Sequence, residues 1–270
     1  MTQVEKAERL RTLHAGPEVL VLPNAWDAIS ARIVEAEGFP VIATTSAGLA
    51  AVLGYPDGQK IPRSEMLFLI GKIVQAVNIP VTADIEAGYD DAAQTALDVI
   101  ASGAVGMNLE DMAGDELLPL SAQIEMIGAV RAVCATAGVP LVINARTDIF
   151  LARHGDAATR LDRSVERLNA FYEAGADCLF APGVVDRETI GSLTTAVKGP
   201  LNILATIGSP SIAEMKSLGV RRVSLGSGPS RVALGALRDF VQTLCDDGTF
   251  GGLGTGAVTY QRTQELLSLS

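Results

Sequence analysis

The chain has 270 residues, of which 48% are hydrophobic, 19% charged and 4% aromatic. That is apolar enough for one large core and argues against a disordered or fibrous chain. With 31 acidic against 21 basic residues and a net charge of −10, it lacks the basic face that a nucleic-acid partner requires.

Taken in chain order, a charged helical segment (MTQVEKAERLRTLH) comes first, without the apolar stretch of a secretion signal. Short Val- and Ile-rich runs then alternate with longer amphipathic ones. The expected strands are Val19–Leu22, Val41–Thr44, Val81–Ala83, Gly106–Leu109, Leu141–Asn144, Cys178–Phe180, Leu201–Leu204 and Arg222–Ser224. Several follow helix-stop and turn signals such as AEGFP, VNIP, TAGVP, KGP and SLGV, which bring a buried parallel strand in after a tight turn. Helices are expected over Ala25–Glu37, Arg63–Val77, Ala92–Ser102, Ser121–Ala137 and Leu161–Ala174. Strand–helix alternation of this kind, repeated eight times, predicts one α/β domain over residues 1–270, a single (β/α)8 TIM-type barrel. The alternative is an open doubly wound sheet. It is disfavoured because the first turn, LPNAWD, carries no G-x-G-x-x-G fingerprint. Extra helices are expected at both ends, at the N-terminus and over Pro229–Cys245 and Val258–Ser270. The Gly-rich FGGLGTG stretch precedes a C-terminal helical segment, 255–270, expected to be exchanged between subunits.

No run of about 18 apolar residues occurs, so no membrane span is expected. Cys134, Cys178 and Cys245 form neither a metal-binding spacing nor a paired framework, which points to a reducing cytoplasm. Cys134 and Cys178 read as core residues.

In a barrel the reactive groups sit just past the C-terminal strand ends. Strand two ends in TTSAG, strand three in ADIEAGYDD, strand four in MNLEDM and strand five in INARTD. In an extended segment residues i and i+2 share a face, so Asp84 and Glu86 would both point into the mouth, with Glu110 beside them. Three such carboxylates would repel one another unless a cation joined them. An all-oxygen set without His or Cys indicates Mg²⁺, or Mn²⁺, rather than Zn²⁺. Arg146 either neutralises Glu110 or clamps a substrate carboxylate. Asp111 and Asp148 read equally well as helix caps or as site residues. Arg231 either holds a distal carboxylate or pairs at a helix start. His14 is expected at the surface, and His154 in solvent or at a helix entrance. A chelated 2-oxo acid would react through a metal-bound enolate.

These segments, in this order and spacing, resemble the isocitrate lyase/phosphoenolpyruvate mutase superfamily. The resemblance runs from about Leu22 to Leu234, through LPNAWDAISARIVEAEGFPVIATTSAG, LGYPDG, ADIEAGYDD, MNLED, INARTD, AGADCLF, LNIL and GVRRVSLG. It implies that Asp84 holds the metal directly and that Glu86 and Glu110 hold it largely through water. Arg146 would contact substrate, and Asp57 would lie beside the metal and the reacting carbon. The 2-oxo acid's carboxylate would be bound by Thr44, Thr45, Ser46 and Ala47, and Asn202 would contact substrate. A homotetramer with exchanged C-terminal helices is implied as well. Three departures stand out. The Thr45 position departs from the Ser-Gly often found in that loop. Glu86 replaces the usual second Asp. The segment after strand four, MAGDELLPL (112–120), has none of the Cys, Lys or His of the lyases' loop, nor the Asn and Lys of the mutases'. Decarboxylation of an oxaloacetate-like acid needs no acid on its leaving group, so it is the favoured reaction. The alternatives are carbon–carbon cleavage of a branched malate or isocitrate, with His154 or water as the acid, and a 2-oxo-acid-binding protein without turnover. Phosphonate chemistry is disfavoured.

Overall fold

The computed structural model describes residues 1–254 and 256–268. The barrel strands are β1 (Leu20–Leu22, resumed at Asn24–Ala25), β2 (Ile42–Thr44), β3 (Val81–Ala83), β4 (Gly106–Glu110), β5 (Val142–Arg146), β6 (Cys178–Phe180), β7 (Leu201–Leu204) and β8 (Arg222–Ser224). Pro23 offers no N–H to a ladder and splits β1 in two. The split closes the barrel: Leu20 and Leu22 face Arg222 and Ser224 of β8, while Asn24 faces Ala43 of β2. All pairings in this sheet are parallel, and neighbours follow sequence order around the ring. The expected (β/α)8 barrel is what the chain forms.

The helices are α1 (Gln3–Ala15), α2 (Ala28–Ala36), α3 (Ser46–Val52), α4 (Arg63–Ala76), α5 (Ala92–Ala101), α6 (Leu120–Ala137), α7 (Arg160–Glu173), α8 (Arg187–Ala196), α9 (Ile212–Ser217), α10 (Gly228–Asp247) and α11 (Tyr260–Ser268). Carboxylates do cap several helix starts. Asp27, Asp91 and Asp186 accept from the amides of Ser30, Gln94 and Thr189 at 2.7, 2.9 and 2.8 Å. Neither Asp111 nor Asp148, the two proposed from sequence, is a cap. The main apolar core lies between the sheet and these helices, where Ile42, Met107, Ile143, Leu179 and Val223 meet Ile70, Val99, Ile127 and Phe171.

Inside the ring the side chains are largely polar. Strand alternation turns Asn108 and Glu110 of β4, Asn144 and Arg146 of β5, and Arg222 and Ser224 of β8 inward. This differs from the Val, Ile and Leu filling usual in such barrels. The floor is closed by α1, whose buried face is Ala7, Leu10 and His14. Gly106 lets Leu10 in: a Cβ there would stand 3.0 Å from Leu10 Cδ2 and 2.7 Å from Thr82 Oγ1. Arg11 of α1 and Arg131 of α6 both pair with Asp177, which fixes α1 to the barrel base.

His14 therefore does not lie at the surface as expected; it is 3% exposed. It falls four residues after Leu10 and seven after Ala7, on the face turned into the barrel. Cys134 and Cys178 are buried, as expected. Helix α11 packs on α2 of its own chain and buries Leu266. Exchange between subunits would place the same face on a neighbour's α2. Of the expected C-terminal segment, Thr255, Leu269 and Ser270 lie outside the described residues. Among the described residues no helix is long and apolar enough to cross a membrane.

Candidate active site

Two adjoining cavities open at the C-terminal strand ends, of about 190 and 260 Å³. Ser46, Asp57, Arg146 and Leu151 line both. The deeper one is walled also by Asp84, Asn108, Phe180, Arg222 and Ser224, the shallower by Glu86, Glu110 and Asp148.

Asp84 sits one residue past β3. Its Oδ2 accepts the Ser46 amide at 2.9 Å and its Oδ1 the Asn108 amide nitrogen at 3.0 Å. Asn144 donates to Asn108 in turn at 2.7 Å, so the inner asparagines orient the carboxylate. The Thr44 hydroxyl accepts from the Asp84 backbone at 2.8 Å, and Thr45 caps α3. The hydroxyls of this loop thus position the carboxylate and the helix. The Ala47 amide has no partner among the described residues.

Glu86 reaches the cavity by a route that the i, i+2 argument did not anticipate. Strand β3 has ended, and Glu86 takes φ +56°, a left-handed conformation costly for a residue with a Cβ. Its Oε2 accepts the Gln59 amide at 2.7 Å, which ties it to the Asp57 loop, while Oε1 is buried without a partner. Burial, aided by the negative Asp57 and Asp84, pushes its carboxyl up to about 7.

The β4–β5 register sets Glu110 opposite Arg146. Arg146 Nη1 pairs with Glu110 at 2.6 Å, and Nε and Nη2 both donate to Asp148 Oδ1, at 2.9 and 2.7 Å. Burial opposes the Arg146 charge, but Glu110 and Asp148 more than offset that and hold it protonated. Burial also raises Glu110; Arg146 opposes the rise, while Asp148, Asp84 and Glu86 add to it. The Arg146 guanidinium lies 5.6 Å from the Phe180 ring.

Asp111 is wholly buried behind this group. It accepts the Asp148 amide at 3.0 Å and Arg167 Nε at 2.7 Å. Arg167 also donates to the Leu118 carbonyl at 2.9 Å. The segment between is a small hairpin, Met112–Ala113 against Glu116–Leu117, whose Met112 and Gly114 border the shallower cavity.

Asp57, Asp84, Glu86, Glu110, Arg146, Ser46 and Ala47 thus meet around one pair of cavities. Asn202 does not join them; it is fully buried and bonded to Ser224. Arg231 does not line them either; it is exposed and borders a mainly apolar cavity beside Ile207 and Val232, which meets the deeper one at Leu204, Gly226 and Ser227. His154 lines neither cavity and is held by Arg163 at 3.0 Å, with Glu116 of the hairpin 3.8 Å away. Sequence reasoning missed Arg222. It is 1% exposed and lies on the inner floor, and its one signal was strand alternation, which puts it on the same face as Ser224.

Five carboxylates and two guanidinium groups line the joined cavities. Among the described residues no three of the His, Cys, Asp and Glu groups converge closely enough to hold a metal ion directly. The donor set still fits a hard dication held mainly through its waters, as Mg²⁺ prefers. The partnerless Glu86 oxygen and the surplus negative charge are what such an ion would satisfy.

The phosphoenolpyruvate phosphomutase family model matches residues 10–245. The chain belongs to that family. An uncharacterized protein of Mycobacterium tuberculosis (strain ATCC 25618 / H37Rv) is 33% identical over 236 residues, 87% of this chain and 88% of its own. The oxaloacetate decarboxylase of Bradyrhizobium sp. (strain BTAi1) is 31% identical over 90% of this chain and 86% of its own. Among solved structures, 2,3-dimethylmalate lyase, described as a member of the PEP mutase/isocitrate lyase superfamily, superposes with TM-score 0.85 at 29% identity, covering 98% of this chain and 95% of its own. Oxaloacetate acetylhydrolase with oxalate bound superposes at 0.87 with 26% identity, over 98% and 94%. The superfamily expected from sequence is confirmed, and lyases and decarboxylases of small organic acids are prominent among the relatives.

Proposed function

We propose that this protein is a divalent-cation-dependent lyase for a small 2-oxo acid, and that its reaction is decarboxylation of an oxaloacetate-like acid. The observation that carries this is Arg146, fixed by Glu110 and Asp148 and facing Asp84 across a cavity with surplus negative charge. Asp84, Glu86 and Glu110 are the residues that would hold Mg²⁺ or Mn²⁺. When bound, the ion polarises the ketone of the acid.

The rest falls to the chain's own groups. Arg146 donates to oxygens of the acid, and its two anionic neighbours keep its planar fork in one orientation. The unpartnered Ala47 amide adds a second donor at the rim of strand β2. Loss of CO₂ leaves an electron pair on the carbon beside the ketone. That carbon must then take a proton, and Asp57, exposed on its loop and bordering both cavities, is the group placed to relay one to it from solvent water. CO₂ leaves neutral, so a hairpin without Cys, Lys, Arg or His suffices as a cover. Cleavage of a branched malate would need an acid for the released carbanion, and His154 is engaged elsewhere.

The test is incubation of the purified protein with Mg²⁺ or Mn²⁺ and a panel of C3–C5 2-oxo acids and 2-alkylmalates, with products followed by NMR. Metal-dependent turnover of an oxaloacetate-like acid is expected, with Arg146→Gln losing roughly 100-fold or more in kcat/KM. Metal-dependent binding without turnover would make the protein a binder. Absence of both binding and turnover would refute the reading.

A further inference from the structure

The two guanidinium groups of the cavity differ in their counter-charges. Arg146 has two, from Glu110 and Asp148. Arg222 has none: among the described residues no carboxylate lies within ion-pair distance of it, and its Nε has no hydrogen-bond partner. The groups in contact with it are neutral, and the carboxylate whose charge reaches it is Asp84, beyond ion-pair distance in the same cavity. His14 Nδ1 bonds the Leu10 carbonyl at 2.8 Å, so the ring donates there and turns its Nε2 lone pair to Arg222 Nη1, 3.5 Å away. Cys178 stays a thiol, since burial pushes it up to about 12. A guanidinium that is 1% exposed yet uncompensated is costly unless an anion completes it. Arg222 also borders the deeper cavity, so the missing anion has a place to bind.

We propose that Arg222, on the floor of the deeper cavity, anchors the carboxylate of the 2-oxo acid. This rests on the cavity being a 2-oxo-acid site. Arg146, whose charge is already balanced, then serves by hydrogen-bonding the oxygen that gains charge during reaction. An ion-paired carboxylate is a poor source of CO₂, so the carboxylate on Arg222 is the one retained in the product. Arg222 is accordingly a binding and specificity residue: its loss weakens affinity for the acid more than it slows the bound acid.

The test is calorimetry on the Mg²⁺-loaded protein with oxalate as the probe, backed by thermal melts with and without it. Wild type is expected to bind oxalate, Arg222→Gln to bind it roughly 10- to 100-fold more weakly, and Arg222→Lys to fall between. Without ligand, Arg222→Gln should melt no lower than wild type, because an unpaired buried charge has been removed. Unchanged oxalate affinity in a folded Arg222→Gln overturns the proposal and leaves the cavity's function standing. Lower melting of both variants, with unchanged affinity per folded molecule, assigns Arg222 to packing of the floor and also overturns it. A wild type that binds neither oxalate nor any 2-oxo acid removes the underlying reading and this one with it.

Discussion

Replacing His14 by Gln tests how the barrel floor is built. Burial, then the adjacent Arg222 charge, brings the His14 imidazole down to about 4 from an ordinary 6.5. The unfolded chain therefore takes up a proton near pH 6.5 that the folded chain refuses until about pH 4. His14 costs no stability above pH 7, and the fold loses stability progressively as pH falls through that window. Linkage puts the loss at about 2 kcal/mol by pH 5 and about 3 kcal/mol by pH 4. With an unfolding entropy of about 2.1 cal/mol/K per residue, 2 kcal/mol over this chain is a shift of roughly 3–4 °C in Tm. Gln keeps an acceptor for Arg222 but does not titrate. The assay is calorimetric melting of wild type and His14→Gln from pH 7.5 to 4.5, with the difference between the curves isolating this one group. The wild type should fall away from the variant below pH 6.5. Parallel curves, or a His14 NMR resonance titrating near pH 6.5 in the folded protein, would refute the assignment of His14 as neutral against Arg222.

Glu86→Gln, in EDTA, should raise Tm at pH 8 and match wild type at pH 4. Burial raises the wild-type carboxyl to about 7, so the fold loses stability as pH climbs from 4.5 through 7, and the variant escapes that loss. Added Mg²⁺ should then raise Tm for wild type and not for the variant; a variant less stable than wild type at pH 8 would contradict this. Asp111→Asn leaves Arg167 facing a neutral partner and should cost about 3 kcal/mol in denaturant unfolding. Hydrogen exchange should show the 112–118 hairpin losing protection first, because Arg167 holds the Leu118 carbonyl.

The strands were legible because each is a short branched run behind a Gly or Pro stop, and four of the eight have the boundaries read from sequence. The site carboxylates were legible because barrel geometry sends strand ends to one mouth. What escaped depends on contacts between distant segments. Glu86 was placed by extending β3, but the chain turns left-handed there to meet the Gln59 amide, a partner 27 residues away. Asp111 read equally well as a cap or a site residue because it follows a strand; its partners, Asp148 and Arg167, become visible only once β5 and α7 are in place. His14 lies on a helix that reads as charged overall, and the hydrophobic pattern gave no sign that one face would enter the barrel. Arg222 sits in RRVS, where neither Arg stands out by type and alternation alone separates the exposed Arg221 from the buried Arg222.

Helix α1 gives the chamber a blind end. With Leu10 and His14 seated in the lower opening, nothing can drain through the tube. Whatever comes in must leave by the mouth at the C-terminal strand ends, so arrival and departure take turns at one end of the barrel. A retained product then blocks the next molecule sterically as well as by occupying its contacts. Trimming the first sixteen residues would unstopper the tube and admit water from below, beside Arg222.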